Sequence, residues 1–81
     1  MRKFIEIIKE QTEEQIENGE PQEMIRVEVG DETGSEILNR IAALRAGAGW
    51  TAAESVARLH VCRHDDTPPA PCELIPEDEL T

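Results

Sequence analysis

Hydrophobic and polar positions over the first eighteen residues fit a helical period. Phe4, Ile5, Ile8, Thr12 and Ile16 fall on one stripe, and Glu6, Glu10, Glu13, Glu14 and Glu17 fall mostly elsewhere. That pattern predicts an amphipathic helix from Arg2 to about Asn18, ended by Asn18-Gly19 and kept from continuing by Pro21. The period then changes to two. Ile25, Val27 and Val29 alternate with Arg26 and Glu28, as a half-buried strand over 24–29 requires, and Gly30-Asp31 turns the chain. Thr33 followed by Glu36 fits a capping box, and Ile37, Leu38, Ile41 and Leu44 recur at helical spacing. They predict a second helix over 34–45, closed by Gly47 and Gly49.

Residues 51–64 carry two patterns. Thr51 and Glu54 form a second capping box, with Ala53, Val56 and Leu59 or His60 giving a short helical face. As a strand, Ala57, Leu59 and Val61 alternate with Arg58, His60 and Cys62, and Cys72-Glu73-Leu74-Ile75 can pair back after the Asp65–Ala70 turn. The reading adopted is a loop or one helical turn over 51–56 and a strand over 57–64. The expected fold is thus a small single α+β domain over 1–75, in the order α-β-α-β-β. Two helices would lie on one face of a three-stranded sheet. Strand 24–29, helix 34–45 and strand 57–64 would form a βαβ unit with a right-handed crossover if the two strands pair in parallel. Residues 76–81, Pro-Glu-Asp-Glu-Leu-Thr, read as an acidic, solvated C-terminal tail.

With 81 residues the chain can build one small core, in which Phe4 and Trp50 are the only aromatics. Self-association or docking on a partner would add to that limited burial. Glu6 and Lys9 interrupt the N-terminus before a signal-type apolar run develops, and no later run approaches the ~20 residues of a membrane span. The expected location is the cytoplasm, where Cys62 and Cys72 would remain thiols.

Charge changes the picture most. The chain has 18 Asp and Glu against 8 Lys and Arg, a net charge of −10. Residues 1–24 carry −4, residues 25–64 are neutral, and residues 65–81 carry −6. Glu10, Glu13, Glu14 and Glu17 lie at i, i+3, i+4 and i+7, one face of the expected first helix. Together with Asp65, Asp66 and Glu73 they are the candidate partner-binding residues. Acidic faces commonly do no more than keep a protein solvated. The sharper expectation is that these carboxylates occupy a basic groove that otherwise holds nucleic-acid phosphates, with counterion release and salt-sensitive binding. The same face could instead pair with arginines of a second copy and make a homodimer.

His60, Cys62, His64 and Cys72 are the one set of residues with metal-ligand chemistry. On a strand, residues 60, 62 and 64 share a face at about 6.6 Å per step, too wide for ligands ~2.0–2.3 Å from one zinc unless the strand bends. The spacing also lacks a paired C-x2-C knuckle, so the expectation is no bound metal: two partly exposed histidines and two reduced thiols. A Cys62–Cys72 disulfide would need the hairpin register to bring their Cβ atoms to about 4 Å. A thiol nucleophile with His60 or His64 as base lacks nameable oxyanion donors. No carboxylate pair stands out as acid and base, and little room exists for a water-excluding pocket. Neither an enzyme nor a cofactor is expected.

Residues 37–61, with Leu44-Arg45, Gly49-Trp50-Thr51, Glu54, Ala57 and Val61, resemble the first half of a helix-turn-helix repressor domain. The recognition helix due after Val61 is replaced by Cys62-Arg63-His64-Asp65-Asp66-Thr67-Pro68-Pro69. Its prolines oppose a helix and its aspartates oppose phosphate, so direct nucleic-acid binding is not expected. In size, cytosolic character and charge the chain resembles the small acidic inhibitors carried by bacteriophages and mobile elements, including anti-CRISPR proteins and other nucleic-acid mimics. That likeness is one of kind and transfers no residue roles. It implies a non-enzymatic module that docks on a larger, basic, nucleic-acid-handling protein and inhibits or modulates it. The alternatives are a small DNA-binding regulator using residues 37–61 and a zinc-stabilised adaptor built around Cys62 and Cys72.

Overall fold

The computed structural model describes residues 1–80. Residues Arg2–Lys9 form a strand, β1, where the sequence pattern predicted a helix. The helical stripe through Phe4, Ile5 and Ile8 bypasses Ile7, yet Ile5, Glu6 and Ile7 are three consecutive buried residues. Such burial requires contact on both faces of a central strand, whose short apolar run is indistinguishable from a buried helix by period alone. Three β-branched isoleucines within five residues favour the extended form.

The only helical part of this region is α1, Glu13–Glu17. Its start is set by Thr12, whose hydroxyl accepts from the Gln15 N–H at 3.2 Å, while the Thr12 N–H donates to Gln15 Oε1 at 3.0 Å. A complete capping box at residue 12 separates the helix from what precedes it.

β2, Met24–Val29, occupies the alternating segment as expected. α2 spans Gly34–Ala48, three residues beyond the expected end. Gly47 lies inside it, and the helix terminates at Gly49, whose φ of 73° is the left-handed conformation that glycine adopts without strain. β3 is Ser55–Cys62, starting and ending two residues earlier than expected, and β4 is Glu73–Pro76.

The sheet order is β2-β1-β3-β4, with every neighbouring pair antiparallel. The expected three-stranded α-β-α-β-β arrangement is therefore incorrect. The described residues are α+β, with two α-helices and a four-stranded sheet, in an element order that begins with a strand. β2 and β3 run in the same direction but do not pair, because β1 lies between them.

The core forms where α2 meets one sheet face. Ile37 and Ile41 join Ile5, Ile7, Val29, Ala57, Leu59 and Val61, with Ile25, Leu38, Leu44, Trp50 and Ile75 packed around them. Residues 76–80 are not the solvated tail the acidic composition suggested. Glu77–Glu79 form a 3-10 turn, Leu80 is buried in the core, and Glu77 makes a two-pronged pair with Arg45 at 2.8 and 3.0 Å. Arg45 also donates to Ser55 Oγ at 2.8 Å and to the Ser55 carbonyl at 3.0 Å, so its buried guanidinium ties α2, β3 and the C-terminal segment together. No described helix is long and apolar enough to cross a membrane.

Gly34 marks where this last segment closes over the fold, because a Cβ there would overlap the Leu80 carbonyl oxygen. Gly34→Ala should therefore destabilise the protein by about 1–3 kcal/mol through overpacking, against the gain that alanine brings to an isolated helix. A urea midpoint equal to or above that of the unsubstituted protein would show that residues 77–80 do not hold this position.

Candidate functional site

Because α2 covers one face of the sheet, the side chains that can meet a ligand stand on the other. Antiparallel register arranges them in rows across the strands. Met24, Ile8 and Val56 form one row, Arg26, Glu6 and Arg58 the next, then Glu28, Phe4, His60 and Leu74. Met24, Val56 and Leu74 are about half exposed.

Glu6 is the centre of this face and is only 4% exposed. It accepts from Arg58 Nε at 2.9 Å and His60 Nδ1 at 3.1 Å, and Arg26 Nε approaches to 3.4 Å. Burial is the largest influence on its carboxyl and raises its pKa, but the hydrogen bonds and charges of His60 and Arg58 together outweigh it and leave the pKa below the ordinary value. Phe4 roofs the cluster, with the Arg26 guanidinium 4.2 Å and that of Arg2 5.0 Å from its ring centre, and the His60 ring edge-on at 6.2 Å. Sequence reading assigned Glu6 to the polar side of a helix. The available signal was its position, a lone carboxylate inside Phe4-Ile5-Glu6-Ile7-Ile8.

His60 leads from this cluster to a second. With Nδ1 engaged by a carboxylate, which can only accept, its Nε2 is the remaining ring nitrogen, and it is buried without a hydrogen-bond partner. Ligand atoms of His60, Cys62 and Cys72 all lie within 4.8 Å of one another. His64 stands between the two thiols, its Nδ1 3.4 Å from Cys62 Sγ and its Nε2 3.4 Å from Cys72 Sγ.

The β3–β4 register brings these residues together. Val61 pairs with Glu73, so Cys62 and Cys72 face each other one position beyond the ladder. β3 ends at Cys62, which frees His64 to fold back. The 60-62-64 spacing is too wide for one ion only on a straight strand, and the chain leaves the strand after Cys62. Both cysteines are free thiols, and burial first, then the neighbouring Cys62, raises the pKa of Cys72.

The candidate partner-binding carboxylates divide between the two ends of the sheet. Glu10, Glu13, Glu14 and Glu17 belong to the β1–β2 connection, but not to one helix face, since Glu10 precedes α1 and its N–H is bonded to the Glu54 carbonyl. Glu20 and Glu23 join them there and, of the four, only Glu10 shares with them an open cleft of about 310 Å³ lined also by Lys9, Gln11, Gln15 and Pro21. Asp65, Asp66 and Glu73 lie at the other end, roughly 25 Å away along an eight-residue strand. Asp66 pairs with the N-terminal amine at 3.1 Å and Glu73 with Arg63 at 3.3 Å.

Of residues 51–61, which a helix-turn-helix regulator needs as helix, those from Ser55 onward are extended in β3. Comparison with protein-family models, with curated proteins and with solved structures returned no match.

Proposed function

We propose that the protein is a non-enzymatic binding module that docks through its acidic β1–β2 connection on a larger, basic, nucleic-acid-handling protein in the cytoplasm and inhibits or modulates it. The reading resembles in kind the small acidic phage-borne inhibitors, anti-CRISPR proteins among them. One observation carries the reading. The connection between β1 and β2 holds Glu10, Glu13, Glu14, Glu17, Glu20 and Glu23, all exposed, and no lysine or arginine.

Lys9 pairs with Glu23 at 3.5 Å, and the carboxylates in excess of that pair create a local negative field at one end of the fold. That field speeds encounter with a basic surface and disfavours phosphate-bearing competitors. Elsewhere the arginines are taken up: Arg2 by Glu28, Arg40 by Glu32, Arg45 by Glu77, and Arg26 and Arg58 by Glu6. The excess negative charge is thereby concentrated in the segments without such partners.

The test is a tagged pull-down from host lysate, washed at rising salt and read by mass spectrometry. The comparison is a variant with Glu10, Glu13, Glu14 and Glu17 each changed to Lys. The expected result is a basic nucleic-acid-binding protein, shed as salt rises and held at least about tenfold more weakly by the variant. Equal retention by both proteins would remove the β1–β2 connection from the interface. Recovery of DNA, or of the protein itself and nothing else, would overturn the reading.

A further inference from the structure

We propose that His60, Cys62, His64 and Cys72 form a closed, structural zinc site at the open end of the β3–β4 hairpin. Four observations converge on it. The first is proximity: tetrahedral zinc at ~2.3 Å from sulfur and ~2.0 Å from nitrogen needs ligand atoms about 3.3–3.8 Å apart. A single nitrogen of His64, Nδ1, lies 3.4 Å from Cys62 Sγ and 3.7 Å from Cys72 Sγ, and the set His60, Cys62, Cys72 lies within 4.8 Å. Closing His60, Cys62 and Cys72 on an ion therefore needs side-chain movements of about an ångström, and His64, already beside both sulfurs, supplies the fourth ligand.

The second is the unpartnered Nε2 of His60, buried where a hydrogen-bonding atom would ordinarily be satisfied. The third is Glu6, which accepts from the other nitrogen of the same ring at 3.1 Å. A carboxylate behind a histidine fixes its tautomer and orientation and strengthens it as a ligand, an arrangement that recurs around protein-bound zinc. The fourth is the strand register, which places Cys62 across from Cys72 and so supplies two sulfurs from two adjacent strands.

The donor set decides the metal. Two thiolates and two imidazoles in tetrahedral array suit zinc and exclude magnesium and calcium, which take oxygen. On binding, each cysteine gives its proton to solvent and enters as thiolate. Four protein ligands leave no open position for a substrate, so the ion would act as a staple: it would close residues 63–71 into a fixed loop and hold β4 to the sheet. The site lies at the opposite end of β1 from residues 10–23 and does not depend on what they bind.

Metal-free, fully reduced protein titrated with Co²⁺ should give a one-to-one complex with thiolate charge-transfer bands and the visible bands of tetrahedral cobalt, both abolished by one equivalent of Zn²⁺. Cys62→Ser and Cys72→Ser should each weaken binding at least about 100-fold, and His64→Ala should shift the visible bands as one nitrogen ligand is replaced. In the unsubstituted protein, which avoids any folding defect of the variants, Zn²⁺ should slow alkylation of both thiols at least about tenfold. Weak, six-coordinate cobalt spectra without charge transfer would overturn the site. So would thiol alkylation rates indifferent to Zn²⁺.

Discussion

Replacing Glu6 by alanine is expected to destabilise the protein by about 2–4 kcal/mol, somewhat less than the ~3–5 for breaking a wholly buried ion pair. The discount reflects the partners: Arg26 and Arg58 keep half and a third of their side chains in water, where their mutual repulsion is screened. The cost has two sources. The Arg58 and His60 donors lose a carboxylate that accepts both, and up to three cationic groups are left around an empty buried site. At ~0.05–0.15 kcal/mol per residue a chain of 81 residues has about 4–12 kcal/mol in all, so this single change should remove a large part of it. Urea unfolding is the measurement, and a loss under ~0.5 kcal/mol would mean that the cluster is a surface decoration. Glu6→Gln should fall between, since its amide oxygen can still accept from one of the donors.

Ile7→Ala is expected to cost about 2–5 kcal/mol, and Ile16→Ala less than ~0.5. Ile7 is fully buried between the sheet and α2, whereas Ile16 is 62% exposed on the short α1. The helical stripe at the N-terminus makes the opposite forecast, because it includes Ile16 and leaves Ile7 out. Denaturation of the two variants side by side therefore discriminates strand from helix over residues 2–9 without a high-resolution method. Comparable losses at the two positions would be incompatible with β1 at the centre of the sheet.

That contrast also explains which parts of the fold the sequence could disclose. β2 was readable because it is a half-buried edge strand, where Ile25, Val27 and Val29 alternate with solvent-facing residues. α2 was readable from its cap and its apolar stripe, and the β4 arm from its return after the proline-rich turn. β1 was not, because Glu6 is buried on the far face, and a strand covered on both sides loses its alternation. The Thr12–Gln15 box marked the true helix start but competes with a longer apparent stripe. Leu80 reads as part of an acidic tail because burial of one leucine among carboxylates depends on a long-range contact with Gly34 and α2.

The same division holds for the sites. His60, Cys62, His64 and Cys72 could be picked out by residue type, but their convergence depends on a hairpin register that no local pattern specifies to the residue. The acidic surface was visible as composition, and its separation into two ends, one of them partly neutralised by the N-terminal amine and Arg63, follows from strand order alone.

The position of β1 has a consequence for synthesis. The strand leaves the ribosome before either of its partners, and one of them is far downstream: Glu6 and Arg58 are 52 positions apart. At ~5–20 residues per second the nascent chain waits about 3–10 s for β3 to be made. During that interval Phe4-Ile5-Glu6-Ile7-Ile8 has at most β2 beside it and one unpaired edge. The carboxylate that later anchors the cluster is, in the unfinished chain, the one charge interrupting an aggregation-prone apolar segment.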